Sequence, residues 1–158
     1  MPLKHPIPIV VISANEGDGC NDYITCSQEL RDTQQYDMFE RPKGRQPDIV
    51  YNFMIGGDGN IYEARGWNVQ SYHESADMVL GISFVGDYHY ENLELNENQI
   101  NAAQELIKYG VEIRKIDKNY TLIAHNQIHD TTGPGGNVLK EIRKWPHWDP
   151  TFHIVPNK

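Results

Sequence analysis

Apolar positions along the chain gather in runs of strand length and in helically spaced sets, divided by polar, glycine-rich breaks. Pro6 to Ile12 (PIPIVVI) ends in a continuous apolar run that predicts a central strand, with Pro6 and Pro8 confining regular pairing to its later part. Helical spacing follows from Thr25 to about Met38, and the charged loop Phe39 to Gln46, with Pro42 and Gly44, must end it. Ile49 to Ile55 is β-branched and aromatic, as a largely buried strand would be. Gly56-Gly57-Asp58-Gly59-Asn60 supplies residues that tolerate φ > 0 for a tight turn, and Ile61 to Ala64 reads as the returning strand.

Beyond this hairpin, Arg65-Gly66-Trp67-Asn68 is polar and aromatic, suited to a groove wall, and Val69 to Val79 is irregular, with His73, Glu74 and Asp77. Leu80 to Gly86 predicts another buried strand, in which Gly81 permits close packing. Asn96-Glu97-Asn98-Gln99 has the form of a capping box. Ile100, Ala103, Ile107, Gly110, Val111 and Arg114 then follow helical spacing in the longest helix. Thr121 to Ala124 predicts a short strand, His125 to Gly136 a loop, and Asn137 to Trp145 a final helix stopped by Pro146. The order is strand, helix, three strands, helix, strand, helix. It predicts an α/β class: a single domain over residues 1–158 with a central mixed β-sheet flanked by helices.

Composition narrows the function. A chain of 158 residues with 39% hydrophobic and 23% charged residues can bury one core. The net charge of -8 argues against nucleic acid or an anionic membrane as the main partner. No run reaches the length of a transmembrane helix, and Met1-Pro2-Leu3-Lys4 is no signal peptide. With Met1 so near the first strand, the chain is expected to be excised from a larger secreted or membrane-anchored protein. Cys20 and Cys26 leave three readings open: free thiols, half of a zinc site, or a short-loop disulfide made in an oxidising compartment. The sequon Asn119-Tyr120-Thr121 points to the same compartment.

Seven histidines raise the question of metal. His125 and His129 are four residues apart, which on a helix would share a face, but their surroundings are loop-like and lack an H-E-x-x-H pattern. His147 and His153 have no clustered carboxylate or thiol. Ser13 and Ser83 lack a G-x-S-x-G setting for a nucleophile.

The hairpin DIVYNFMIGGDGNIYEARGWN, the strand LGISFVGDY, the segment LIAHNQ, Gly133-Pro134-Gly135 and the ending IRKWPHW together resemble the peptidoglycan recognition proteins. That family shares its fold with zinc-dependent N-acetylmuramoyl-L-alanine amidases. The resemblance implies a disulfide between Cys20 and Cys26 and a groove for the glycan and stem peptide of a muropeptide. It implies zinc, in catalytic relatives, at the positions of Ser13, His125 and Gly133. Only His125 is a ligand residue there, so neither amidase activity nor a zinc cofactor is expected. Tyr51 stands at the position of the tyrosine that assists catalysis. Arg65, Trp67 and His73 match groove-lining segments. Asp37 replaces a usual histidine, and Tyr72 replaces a small residue and could fill groove volume. No arginine stands between Trp67 and Phe84 to pair with the extra carboxylate of a diaminopimelate peptide. Two functions therefore follow as expectations. One is a co-receptor that heterodimerises with a second recognition domain presenting the muropeptide; the other is a receptor that binds it directly. Both place the domain outside the cell as a receptor ectodomain, glycosylated at Asn119, and the zinc amidase remains a third, enzymatic alternative.

Overall fold

In the computed structural model, which describes residues 1–73 and 76–152, the apolar runs become a five-stranded sheet. Its strands are β1 (Ile7–Ala14), β2 (Phe53–Ile55), β3 (Ile61–Glu63), β4 (Val79–Phe84) and β5 (Ile116–Ala124). They lie in the order β3-β2-β4-β1-β5, with β3 antiparallel to β2 and every other pairing parallel. β4 is the middle strand; β1 lies beside it as an interior strand between β4 and β5, and is buried along nearly its whole length, as a parallel strand covered on both faces must be. Its regular pairing with β4 starts at Ile9, after Pro8, as the prolines predict.

The side-chain period of two divides each strand between two faces. Val10, Ile12 and Ala14 of β1, with Leu80, Ile82 and Phe84 of β4, face one core. The helices α2 (Glu97–Glu112) and α3 (Gly136–Ile142) cover that core through Ala103, Leu106, Ile107, Val138 and Ile142. Ser13, Gly81 and Ser83 have the opposite parity. On that side α1 (Tyr23–Gln35) packs Cys26 and Leu30 against Val50, Tyr51, Met54 and Val85.

The helix boundaries have local causes. Asp22 caps α1 by accepting from the Thr25 amide at 2.8 Å, so the helix starts two residues before the predicted Thr25. It passes at its end into a π-helical turn, Tyr36–Glu40, closed by the Arg41 amide on the Tyr36 carbonyl. Asn96 and Gln99 form the expected capping box on α2, and Asn96 Nδ2 also donates to the Gly57 carbonyl, tying the helix to the hairpin turn. α3 stops at Ile142, short of the predicted Trp145, and a turn carries the chain on to Pro146.

Two strand predictions shift. Only Phe53–Ile55 of the expected strand 49–55 enters the ladder. The preceding backbone is bonded elsewhere: the Val50 amide to Asp37, the Ile49 carbonyl to Arg65 and the Val50 carbonyl to the Tyr72 amide. β5 begins at Ile116, five residues before the predicted Thr121, because a register shift bulges its polar stretch around Asn119 outward. In the hairpin turn the left-handed conformation falls on Gly59 (φ 78°). Gly57 is required for space instead, since a Cβ there would stand 1.8 Å from the Cys20 carbonyl oxygen. Cys20 and Cys26 are joined in a disulfide, which holds the loop before α1 against this turn. Glu74, Ser75 and His153 lie outside the described residues.

Candidate functional site

Ligand sites in parallel sheets form beyond the carboxyl ends of the strands, where loops diverge. Here Ile12 pairs with Ala124, so the next residues, Ser13 and His125, leave neighbouring strands side by side. A cleft of about 330 Å³ opens from the end of β1 toward α1, lined by Asn15, Glu16, Glu29, Asp32, Asp37, Arg41 and Tyr51 among others. It adjoins a second hollow of about 690 Å³ that shares Glu16, Glu29 and Asp32 and adds Asp18 and Asp87. The lining is strongly acidic. Burial, with Asp18 and Asp32 nearby, holds the Glu29 carboxyl above its ordinary pKa.

Next to Arg41 of this cleft the structure assembles a group of aromatic side chains. Tyr72 lies flat on His129, with centroids 5.6 Å apart and planes 6° from parallel, and the Arg41 guanidinium sits over the Tyr72 ring, 4.8 Å from its centroid. Arg41 is held by Asp37 through Nε and Nη2 at 3.2 and 3.1 Å. Asp37 is buried and uses its other oxygen to accept from the Val50 amide. Tyr51 is buried, its hydroxyl donating to the Ala14 carbonyl at 3.4 Å, and burial raises its pKa far above the ordinary phenol range.

Beneath Tyr72, one nitrogen from each of His73, His125 and His129 lies within 4.8 Å of the others. His73 is 3% exposed, and neither of its ring nitrogens has a hydrogen-bond partner; His125 Nε2 also has none. Burial is the main cause that pulls His125 down to about 4, helped by His129 and Arg41. The same cause, with His125 and His129 beside it, depresses His73 well below the ordinary imidazole value. The His73 and His125 rings are therefore neutral at physiological pH.

The remaining sequence candidates are placed differently from expectation. Arg65 was expected at the groove, but its guanidinium is committed to the backbone, donating to the carbonyls of Ile49 (2.6 Å), Gln70 (2.8 Å) and Asp48 (3.3 Å). Trp67 lies on the opposite face of the sheet, packed on Phe53 at 4.7 Å and on Tyr109 of α2 at 6.5 Å. His73 is covered rather than presented to a ligand. In all three, a residue type suited to a groove satisfies the fold's own packing or hydrogen bonds. His129 is the member that sequence spacing came nearest to finding. One turn, in which the His129 amide reaches the His125 carbonyl at 3.1 Å, brings the i, i+4 pair together without a long helix.

The zinc donors implied by the resemblance do not fit this site. Ser13 offers a hydroxyl that is buried and without a partner. Gly133 offers no side chain, although a Cβ there would stand 3.7 Å from His125 Nδ1. One imidazole, one neutral hydroxyl and a vacant third position are a poor zinc set beside two imidazoles and a thiolate.

A mixed sheet with α2 and α3 on one face, and a cleft with a buried histidine at the ends of β1 and β5, defines the amidase-like class. Residues 3–136 match the family N-acetylmuramoyl-L-alanine amidase. Peptidoglycan-recognition protein SC1a of Drosophila melanogaster is 40% identical over 148 residues, 92% of this chain and 77% of the relative. Peptidoglycan recognition protein 1 of Bos indicus is 34% identical over 149 residues, 92% of this chain and 76% of the relative. Among solved structures, a chain from tracheal cytotoxin bound to the ectodomain complex of peptidoglycan recognition proteins LCa and LCx superposes with a TM-score of 0.88. It is 36% identical and covers 94% of this chain and 88% of its own. Peptidoglycan recognition protein LE in complex with tracheal cytotoxin, a monomeric diaminopimelic acid-type peptidoglycan, gives a TM-score of 0.89. There the identity is 34%, with coverage of 94% and 86%. The chain belongs to the peptidoglycan recognition protein family.

Proposed function

We propose that this chain is a non-catalytic peptidoglycan-recognition domain of innate immunity that acts as a co-receptor. It engages a diaminopimelate-type muropeptide held by a second recognition domain, and the ligand joins the two. The observation that carries this reading is the cleft itself. On this reading Tyr72, stacked on His129 and packed against Arg41 of the lining, obstructs the groove, and the only cation among the named lining residues, Arg41, is already neutralised by Asp37. The carboxylates of Glu16, Glu29 and Asp32 would repel the carboxylates of a muropeptide stem. The similarity to the LCa–LCx ectodomain complex supports an assembly of two recognition domains around one ligand.

The chemistry of Ser13 and Gly133 supports the absence of amidase activity. The disulfide supports an extracellular setting, and the exposed Asn119, on the outward bulge of β5, is an accessible glycosylation acceptor. No helix among the described residues is long and apolar enough to cross a membrane. An anchor would therefore belong to a part of a larger protein outside this domain.

Calorimetric titration of the isolated domain with a monomeric diaminopimelate muropeptide tests the obstructed cleft. The expected result is no measurable heat of binding for the wild type and a gain of binding in Tyr72→Ala, which removes the obstruction. Tight binding by the wild type would favour the alternative reading, a receptor that takes muropeptide into its own groove.

A further inference from the structure

We propose that His73, His125 and His129 bind a divalent transition-metal ion of the kind that prefers imidazole ligands, zinc foremost. Two of these three ligands stand at positions that the family resemblance does not assign to zinc. The site is therefore a different donor set near the family's metal position, and it goes beyond the co-receptor reading.

Three imidazoles, His125 and His129 from one turn and His73 from the segment after the hairpin, converge with one nitrogen each inside 4.8 Å, the only such group of potential ligands among the described residues. A zinc ion with bonds of about 2.0–2.1 Å holds tetrahedral ligand atoms roughly 3.4 Å apart, so the rings need to move inward by no more than on the order of an ångström. The pocket also contains unmet hydrogen-bonding capacity. His73 is almost wholly buried with both nitrogens unpartnered, and His125 Nε2 is likewise unpartnered. Buried polar atoms are nearly always paired, and orphaned ones call for a partner such as a bound ion. Mutual satisfaction of the rings is not the answer, because neither nitrogen of His73 reaches any acceptor or donor.

The position of His73 is built in. A Cβ on Gly81 would meet its Nε2 at 2.9 Å, so the ring occupies space that only glycine leaves free. Tyr72 covers the group, stacked on His129 and 5.3 Å from the His73 ring. The ion would thus tie the segment after the hairpin to the end of β5 and the following turn, instead of facing the open cleft.

The intact chain, stripped with a chelator and dialysed against zinc, should take up one zinc per chain and show a higher melting temperature with zinc than without. Cobalt(II) in place of zinc should give the intense visible absorption of a tetrahedral site. His73→Ala and His129→Ala should each weaken zinc binding by at least about 100-fold, the upper end of what outer-shell changes alone cost, and His147→Ala should leave it unchanged. Because His73 is a core residue, folding of each variant is checked by circular dichroism, and the half-buried His129 decides if His73→Ala unfolds. A folded wild type that binds no more zinc than His129→Ala would overturn the assignment. So would full zinc retention in both variants. Zinc uptake without amide hydrolysis leaves the co-receptor reading standing, and failure to bind zinc does not touch it.

Discussion

His125 shows how far burial alone can set the behaviour of one side chain in this fold. Its pKa is pulled to about 4, while in the unfolded chain it titrates near the ordinary imidazole value of 6.5. Between those values the unfolded state binds the extra proton and the folded state does not, so stability falls as pH drops through this window. In metal-stripped protein the loss should approach roughly 2–3 kcal/mol from about pH 7 to about pH 4, and His73 shifts in the same direction. Urea unfolding along this pH series, compared with His125→Gln, measures it. The wild type should lose more stability on acidification than the variant, and equal slopes would contradict the burial argument. At the same scale, Asp37 and Tyr72 were readable as departures from the family pattern. What they do was not. Asp37 fixes Arg41 and the Val50 amide, and Arg41 in turn holds Tyr72 against His129. Such contacts join residues distant in sequence, and spacing carries no record of them.

Elements were legible wherever one local rule governed them. The Asn96–Gln99 capping box, the apolar run of β1 and the hairpin all stand where pattern places them. Alternation also fixes which face each residue takes, so Ser13, Gly81 and Ser83 share the side opposite α2. Boundaries moved where tertiary partners overrode propensity, as at Ile49 to Asn52. The hairpin turn offers a sharp test, because two of its glycines serve different needs. Gly57→Ala would drive a Cβ into the Cys20 carbonyl, and the backbone there, pinned by the disulfide, cannot yield cheaply. A thermal melt should show a loss of about 1–3 kcal/mol, the usual cost of overpacking. An unchanged melting temperature would mean that the turn and the disulfide loop are not in firm contact.

For the whole molecule, the proposed co-receptor reading makes this domain one that completes a binding site begun by a second domain. The chain carries a net charge of -8, and its cleft concentrates acidic groups where an anionic ligand would have to lie. Exposed apolar side chains, Tyr36 and Phe39 of the π-helical turn, stand in the segment that borders this cleft. They are suited to contact a partner across a shared ligand. The pairing of Arg41 with Asp37 leaves no unpaired cation among the named lining residues of the cleft, which is what the co-receptor reading requires. The most direct test is sedimentation velocity on this domain with a second recognition domain of the family, with and without a monomeric diaminopimelate muropeptide. The predicted result is a heterodimer that forms only when the muropeptide is present, while this domain with muropeptide alone sediments as it does without. The same sedimentation profile for the mixture with and without muropeptide would contradict the co-receptor account.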